Sequence, residues 1–538
     1  MESLNTTQNQ RLGSESPSQT QSQIKSLHFD ILREIFLFNA NIFTEKNCLE
    51  TTRLSSQVCH SWRSLILNSP SIWGRLFELS ALEQSTERWG KEVLSRSENS
   101  LLWVYGSVSG CITHNQPGTK LFYHILAAHW ERIQHLSITI TDLPIDEQLW
   151  QPLLKPAPYL QSLIVHPSNL RQGYLFLTSS SSTPAALLFS NQAPMLRKFS
   201  TQCVAFSLTS TWLSHLRHLR LSLFVSVSEI LNSLRSIPCL HTLTISATGE
   251  RTLVSTSLPS VFLANLTTLA LSNFCLPDVT EFLTHILPSD GCSLILVSHF
   301  SSHVNEDLQA LSRPLSGWFK NYLRSHHVTA LTMELYSTSL LFYDHTSHTD
   351  IHSVFRMAIT TPGLEPLPLD SYGLIPPLFS TYDFSIVTHL ELNFKNIPQA
   401  TLAAFFPLFS SFPSVTDLST DEQTISTILS TPTPTENADA AENTSLFFPL
   451  LQTLRMPSFR QTYGVRKHHL RPLLRFLRMH SALGAPIQTL DISESYSLSI
   501  DIRFLEEITG LVVMWSIKNK RFSYTCGSGQ ADSQSLRR

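Results

Sequence analysis

The sequence of 538 residues is poor in charge, in glycine and in phosphate-binding motifs. Lys, Arg, Asp and Glu make up 15% of it, below the ~25% of an average domain. Its net charge of −3 offers no basic footprint for a nucleic acid or a membrane surface. With 17 glycines and no P-loop, GxGxxG or HExxH motif, it shows no nucleotide or zinc-protease signature. We therefore expect neither a nucleic-acid nor a membrane partner.

Paired cysteines and clustered metal ligands are missing as well. None of the eight cysteines has C-x-x-C spacing, which favours free thiols in a reducing compartment. The 22 histidines have no carboxylate or cysteine cluster at matching spacing, so we predict no metal and no cofactor. The first residues lack a signal-peptide pattern, and no apolar run approaches about 18 residues. These features predict a cytoplasmic or nuclear protein.

A catalytic motif is also absent. The stretch GSVSG at 106–110 places Val108 where a nucleophile elbow requires serine. We therefore predict that the chain is not an enzyme. A hydrolase that uses a Ser/His pair outside any motif stays as an alternative.

The N-terminal part has two apolar stripes at helical spacing. Residues 1–24 are rich in Ser, Thr and Gln and predict a disordered tail. In 25–80, one stripe consists of Leu27, Ile31, Ile35 and Phe38, and the second of Leu54, Val58, Trp62 and Leu65. Ser55 and Ser56 suit the N-cap of the second helix, and Pro70 ends it. The pattern predicts a three-helix unit that is too small to be stable without a partner or a following domain.

A second pattern recurs from about residue 130: an apolar residue, two others, a leucine, one other and an apolar residue. It predicts short buried strands, many of them followed by helices, as in a repeat array. The template occurs at Ile133-Leu136-Ile138, Leu160-Leu163-Val165, Leu216-Leu219-Leu221, Leu240-Leu243-Ile245, Leu266-Leu269-Leu271, Val328-Leu331-Met333, Val387-Leu390-Leu392, Leu451-Leu454-Met456 and Ile487-Leu490-Ile492. The two widest gaps, 266–328 and 328–387, contain either hidden repeats or a large loop.

Side chains alternate along a strand, so the leucines would fill the core and their neighbours would face a partner. The partner-facing positions would include His135, Ser137, His218, Arg220, Thr242, Thr244, Thr268, His389, Glu391, Arg455, Thr489 and Asp491. The candidate partner-binding residues among them are His218, Arg220, His389, Glu391, Arg455 and Asp491. Residues 430–443 are rich in Pro, Thr and acid and predict a flexible loop, and 516–538 predict a C-terminal tail.

The N-terminal block resembles the F-box of large fungal protein families. The resemblance rests on SLHFDILREIFLF and LSSQVCHSWRSLILNSPSIWGRLFEL, in the order leucine, valine-cysteine, tryptophan-arginine, Ser-Pro and tryptophan. LRPLLRFLRMHSALGAPIQTLDIS looks like the last leucine-rich repeats of the same proteins. The resemblance implies that residues 25–80 bind a Skp-type adaptor, and through it a cullin. The implied docking face and its support are Leu27, Ile31, Leu32, Ile35, Leu54, Val58, Trp62, Leu65 and Trp73.

The resemblance predicts an α/β fold, in which a three-helix F-box precedes an irregular leucine-rich-repeat-like solenoid over 81–515. The expected function is that of a non-enzymatic substrate receptor of a ubiquitin ligase, which presents an unknown protein substrate. The sequence departs from the family at His28, where a proline is usual, and at Thr248 and Phe274, where asparagines are expected. The departure at His28 favours an alternative, a protein-interaction scaffold whose degenerate F-box no longer recruits a ligase, and those at Thr248 and Phe274 disfavour strictly regular repeats.

Overall fold

The chain forms two compact units, Met1–Ile138 and Thr139–Arg538. A computed structural model describes residues 27–83, 87–111, 116–142, 145–168, 187–202, 204, 206–222, 226–247, 258–299, 307–346, 354–361, 366–367, 382, 384–397, 406–430, 447–459, 471–495, 503–518 and 520–529. The predicted mixed α/β class is confirmed, with helices and a large, mostly parallel sheet. The predicted tail at 1–24 and nearly all of the predicted loop at 430–443 lie outside the described residues.

The first unit is mainly helical. Its helices are α1 (Phe29–Asn39), α2 (Cys48–Val58), α3 (His60–Leu67), α4 (Pro70–Trp73), α5 (Leu79–Glu83), α6 (Glu87–Arg96) and α7 (Pro117–His129). Its strands are β1 (Phe77–Glu78), β2 (Leu102–Val108) and all but the last two residues of β3 (Ile133–Ile140), and a short 3₁₀ helix spans Trp130–Arg132. Strand β2 lies between β1 and β3.

The second unit contains most of the strands. Its strands are β4 (Ser162–Pro167), β5 (Lys198–Thr201), β6 (His218–Ser222), β7 (Thr242–Ser246), β8 (Val261–Leu263), β9 (Thr268–Phe274), β10 (Ile286–Pro288), β11 (Ser293–His299), β12 (Ala330–Tyr336), β13 (Ser339–Asp344), β14 (Arg356–Thr360), β15 (His389–Lys395), β16 (Asp417–Thr420), β17 (Thr453–Arg455), β18 (Thr489–Asp491), β19 (Val512–Ile517) and β20 (Lys520–Thr525). Its α-helices are α8 (Val227–Leu234), α9 (Leu276–His285), α10 (Asp307–Leu323), α11 (Phe406–Ser410), α12 (Glu422–Ser430) and α13 (Arg471–Ala482). Its 3₁₀ helices are Glu147–Leu154, Leu188–Asn191, Thr211–His215 and Arg503–Leu505.

Strands that are consecutive in the sequence mostly lie side by side. The order in the sheet is β4-β5-β6-β7-β9-β11-β14-β13-β12-β15-β16-β17-β18-β19-β20. Neighbours are parallel except where β13 or β20 takes part. Strands β8 and β10 form a separate parallel pair. The order reverses only at β12–β14, where an antiparallel meander is inserted into the array.

The nine strands predicted from the leucine template are confirmed. The central leucine of every template is at most 2% exposed, because alternate side chains of a strand point to the same side. These leucines are Leu136, Leu163, Leu219, Leu243, Leu269, Leu331, Leu390, Leu454 and Leu490. The leucine face of the sheet therefore forms the core, and the intervening positions form the opposite face.

The turn before the strands repeats one hydrogen-bond pattern. The carbonyl of Arg197 accepts the backbone N–H groups of Arg217 and His218, at 2.8 and 3.0 Å. The same double acceptance recurs in later and earlier turns at the carbonyls of Gln161, Arg217, His241, Thr329, Thr388, Thr416 and Gln452. Since each turn supplies the acceptor for the next one, successive strands are held in a common register.

Two of the strands that the template does not predict, β5 and β16, have a threonine where the template requires an apolar residue. Thr201 of β5 is 2% exposed, and Thr420 of β16 is fully buried. The Thr420 hydroxyl donates to the Leu392 carbonyl at 2.8 Å, and the Thr201 hydroxyl accepts from the Val204 N–H at 3.0 Å. A hydrogen-bonded threonine is cheap to bury, so it takes the apolar position without disturbing the core.

The two wide gaps of the template are filled by secondary structure. Strand β11 and helix α10 occupy the first gap, and the meander strands β13 and β14 occupy the second. At the C-terminus, the sequence predicts a tail from residue 516, whereas the structure has β20 at Lys520–Thr525. This strand pairs antiparallel with β19. The sequence KRFSYT of β20 has no leucine template, because its outer side chains are exposed.

His480 makes the stability of the second unit depend on pH. Its side chain on α13 is fully buried beside the Phe476 ring, and burial lowers its pKa from 6.5 to about 4. The unfolded chain takes up a proton below pH ~6.5, whereas the folded chain does so only near pH 4, so stability is lost as the pH falls between these values. We expect the free energy of unfolding to fall by about 2 kcal/mol more between pH 7.5 and pH 5 in the wild type than in His480→Leu. Denaturant titrations of both proteins measure this, and equal losses would contradict it.

Candidate functional site

Helix α1 has one buried and one exposed apolar side. Leu32, Phe36 and Leu37 face the interior, where α1 contacts α2, α3 and α4. Ile31 and Ile35, one helical turn apart, are 51% and 42% exposed. Leu27, Phe29 and Phe38 are exposed as well. This helix therefore presents an apolar surface that the described part of the first unit does not cover.

The second predicted helical stripe is divided between two helices. Helix α2 ends at Val58, Cys59 is extended, and α3 begins at His60. The Cys59 thiol accepts the Trp62 N–H and so acts as the N-cap of α3. The expectation that Ser55 and Ser56 cap this helix is wrong, since both lie within α2. The spacing of the apolar residues does not reveal this break. The intervals of four, four and three between Leu54, Val58, Trp62 and Leu65 continue from α2 into α3.

Helix α2 adds two exposed apolar side chains to those of α1. Leu54 and Val58 are 51% and 64% exposed and lie one turn apart. We call the exposed set on both helices the apolar helix face; it comprises Leu27, Phe29, Ile31, Ile35, Phe38, Leu54 and Val58. Helices α1 and α2 contact each other, and exposed apolar side chains on adjoining helices are typical of interaction surfaces.

Four predicted docking residues support this face from within. Leu32, Leu65 and Trp73 are buried, and Trp62 is half-buried with its ring 5.1 Å from that of Phe36. The nine residues implied as a docking face and its support thus divide into buried or half-buried and accessible members. The accessible ones are Leu27, Ile31, Ile35, Leu54 and Val58.

Trp73 is the centre of that support. Its indole N–H donates to the Ile66 carbonyl at 2.8 Å, and its ring meets the Trp89 ring edge-on at 6.4 Å. The Arg96 guanidinium lies 4.6 Å above the ring. These contacts connect the short helix α4 to α3 and α6, and they hold α3 in place beneath the exposed helices.

His28 occupies the N-cap of α1. Its Nδ1 accepts the Asp30 N–H at 3.3 Å, so the side chain replaces one of the missing backbone acceptors. Its φ of −61° is one that proline also adopts. The departure from the usual proline thus exchanges a preset backbone angle for a side-chain cap, and α1 still begins at Phe29.

Side chains from outside the first three helices fix the end of α1. The Arg75 guanidinium donates to the Leu37 carbonyl at 3.0 Å and lies 4.5 Å above the Trp103 ring. Phe43, in the loop after α1, contacts the rings of Trp103 and His135. His135 therefore packs against this loop, and the sequence-based expectation of a partner-facing side chain does not hold for it.

Four of the six candidate partner-binding residues come together on the polar face of the sheet in the second unit. Glu391, Arg455 and Asp491 share one row across the strands β15–β18. The Arg455 Nη2 lies 2.6 Å from Asp417 Oδ2, and the His389 Nε2 lies 4.0 Å from the same oxygen. Asp417 was missed because its strand, β16, was not predicted from the sequence. Arg455 and Asp417 neutralise each other, and the hydrogen bonds to Asp417 raise the pKa of Arg455.

The other two, His218 and Arg220, lie apart from this cluster on β6, and both are exposed. Of the neutral positions predicted to face a partner, Thr268 is 5% exposed and offers little surface. The rest are half-buried: Ser137, Thr242, Thr244 and Thr489. The polar face is therefore accessible chiefly at its charged positions.

Within the described residues, no group of three or more His, Cys, Asp and Glu side chains is arranged to hold a metal ion. No helix in the same part of the chain has the length and apolar character that crossing a membrane requires. A comparison with models of known protein families finds no match for the chain, and neither does a comparison with curated proteins.

Proposed function

We propose that the chain is the substrate-recognition adaptor of a ubiquitin ligase of the Skp-cullin-F-box type. In this proposal, residues 25–80 are the F-box, and the second unit is a degenerate leucine-rich-repeat solenoid that presents a partner. The observation that carries the proposal is the apolar helix face. Its side chains are exposed on the same two helices that resemble the F-box.

The apolar helix face has a physical reason to bind a protein. Burying apolar area yields about 25 cal/mol per Å², so exposed Ile, Leu, Val and Phe side chains are stabilised when another surface covers them. Interface cores are depleted in charge and rich in such side chains. Arg33 and Glu34 are exposed on α1 between Ile31 and Ile35 in the sequence. Charged side chains beside an apolar surface suit the rim of an interface.

The repeated turn geometry supports the solenoid part of the proposal. The same double hydrogen bond links the turn at Gln161 to the next one and the turn at Thr388 to the next one, far apart in the chain. A parallel strand in every repeat and a leucine at its buried centre are what stacked repeats require. The missing asparagines after the strands are the reason for calling the repeats degenerate.

The proposed mechanism involves no bond making by this chain. The F-box would tether the protein to the adaptor and the cullin, and the sheet surface would hold the substrate. Tethering raises the effective concentration of a substrate lysine near the ubiquitin carrier. Specificity would then reside in the second unit and recruitment in the first.

Charge placed on the apolar helix face tests the proposal. The tagged chain is co-expressed with a Skp-type adaptor and a cullin, as wild type and as Ile31→Asp or Val58→Asp. Both positions are more than half exposed, so the variants fold, but docking would bury an unpaired carboxylate. We expect the adaptor affinity to fall about 100-fold or more. The measurement is the amount of adaptor retained, followed by titration calorimetry.

The matched control is Leu287→Asp in the second unit, where the leucine is 52% exposed, close to the 51% of Ile31. It should retain the adaptor fully. Retention by Ile31→Asp at the wild-type level would contradict the proposal. If even the wild-type chain fails to retain the adaptor, the scaffold alternative, which His28 favours, replaces it.

A further inference from the structure

Charge is strongly segregated along the chain. Residues 151–250 contain seven Lys and Arg but only two carboxylates, Glu229 and Glu250, in a protein whose net charge is −3. This segment forms β4–β7 and the turns before them. The segment that contains β4–β7 therefore has an excess of positive charge in its sequence.

The fold brings several of these cations to the polar face. Lys198 begins β5, and it pairs in register with His218 of β6. Arg220 lies two residues further along β6, on the same side, and Arg217 immediately precedes the strand. All four side chains are exposed. We call this set the basic strand face: Lys198, Arg217, His218 and Arg220.

Cations on the two halves of the sheet differ in their partners. In the C-terminal half, Arg455 and Lys395 form ion pairs with Asp417 and Asp421. Among the described residues, no carboxylate lies within ion-pair distance of Lys198, Arg217 or Arg220, and β4–β7 contain no Asp or Glu. Burial, together with the positive charge of Arg220, lowers the pKa of His166 to about 4. The charges of Lys198, Arg217 and Arg220 are therefore not neutralised by any described carboxylate.

We propose that the basic strand face binds an acidic segment of a partner polypeptide. Neighbouring strands are ~4.8 Å apart and alternate residues of one strand ~6.6 Å apart, so Lys198, His218 and Arg220 form a small grid of donors. An extended peptide places every second side chain on one side at the same ~6.6 Å interval. Alternate Asp or Glu side chains can therefore meet successive cations. The His218 Nδ1 lies 3.1 Å from the Thr242 hydroxyl oxygen. The hydrogen bond between them orients the His218 ring at the edge of the grid.

A nucleic acid fits this face less well. A long polyanion that follows the row of strands would reach Glu334, Glu391 and Asp491 on the same polar face, and repulsion there opposes its binding. A short acidic peptide segment can be confined to β5–β7. The charge reversal between the two halves of the face therefore selects a ligand of limited length.

This inference deepens the proposed function, because it gives the chemistry of the segment that the second unit would present. The two fail separately, since adaptor retention depends on the first unit. The full-length protein is titrated into a fluorescein-labelled peptide of alternating Asp and Ser, and anisotropy is recorded at low and at high salt. A peptide with Asn in place of Asp is the neutral probe. The variant is Lys198→Gln/Arg217→Gln/Arg220→Gln.

We expect saturable, salt-sensitive binding of the Asp peptide, and a loss of about fivefold in affinity per cation removed, or about 100-fold in the triple variant. The control variant, Arg235→Gln/Arg313→Gln/Arg324→Gln, makes the same change in charge at exposed positions away from the strands and should bind normally. Both variants should retain the adaptor equally. A phosphoserine peptide that binds the wild type but not the strand-face variant also supports the inference. If it binds more tightly than the Asp peptide, the acidic groups of the partner segment are assigned as phosphoserines.

Three results would overturn the inference. The first is equal affinity of the wild type and the strand-face variant for the Asp peptide. The second is an equal loss of affinity in the control variant, which would show that only net charge matters. The third is tighter binding of a short oligothymidine than of either anionic peptide, which would assign the face to nucleic acid.

Discussion

Replacing Trp73 by alanine is expected to lower the free energy of unfolding of the first unit by about 4 kcal/mol. The side chain is 2% exposed, and its indole N–H donates to the Ile66 carbonyl. Truncation would leave a large cavity, remove the contact with Trp89 and free the Arg96 guanidinium above the ring. Since α3 and α4 depend on this residue, the loss should spread to the helices of the apolar helix face.

Hydrogen exchange read by mass spectrometry on peptides from residues 60–75 measures the effect. Ile31→Ala is the matched control, because the exposed isoleucine should change stability by less than about 0.5 kcal/mol while it still weakens adaptor binding. The pair therefore separates support from docking. If Trp73→Ala exchanges as slowly as the wild type, the tryptophan is not the support inferred for it.

Replacing Phe319 by alanine is expected to cost the second unit about 4 kcal/mol. Phe319 lies on α10, and its ring is 4.7 Å from that of Phe355 and 5.4 Å from that of Phe342. Tyr382 and Phe384 close the cluster on further sides. Aromatic pairs at these distances add to the free energy of burial, so the meander β12–β14 should lose its attachment to the helix.

Phe262→Ala provides the comparison, because its ring is 67% exposed and its loss should leave stability nearly unchanged. Equilibrium denaturation in urea, followed by circular dichroism, measures both variants. Exchange protection of residues 339–360 then localises the effect. Equal midpoints for the two variants would refute the role given to the aromatic cluster.

The sequence was informative wherever one spacing rule applied. The leucine template predicts nine strands correctly, because alternate side chains of a strand face the same side and the central leucine of each template is buried there. Strands β5 and β16 were missed because Thr201 and Thr420 satisfy their hydroxyls inside the core, and hydropathy does not register a hydrogen bond. Strands β13, β14 and β20 were missed because antiparallel insertions follow no repeat.

The candidate site divides in the same way. The amphipathic spacing places Ile31 with Ile35 on one stripe and Leu54 with Val58 on another, and the structure has all four exposed. Spacing does not distinguish them from Leu32 and Leu65, which a second layer of helices covers. A helix periodicity identifies a face, whereas burial depends on which neighbours pack against it.

The chain's own residue order thus determined the mixed α/β class, the position of the leucine strands and the composition of both faces of the sheet. Only the tertiary structure decided which apolar side chains stay uncovered, how the meander interrupts the strand order, and which cations find a carboxylate. The physical reason is range: alternation and helical spacing act between residues a few positions apart. Burial and ion pairing, as for Arg455 with Asp417, are settled between strands that are distant in sequence.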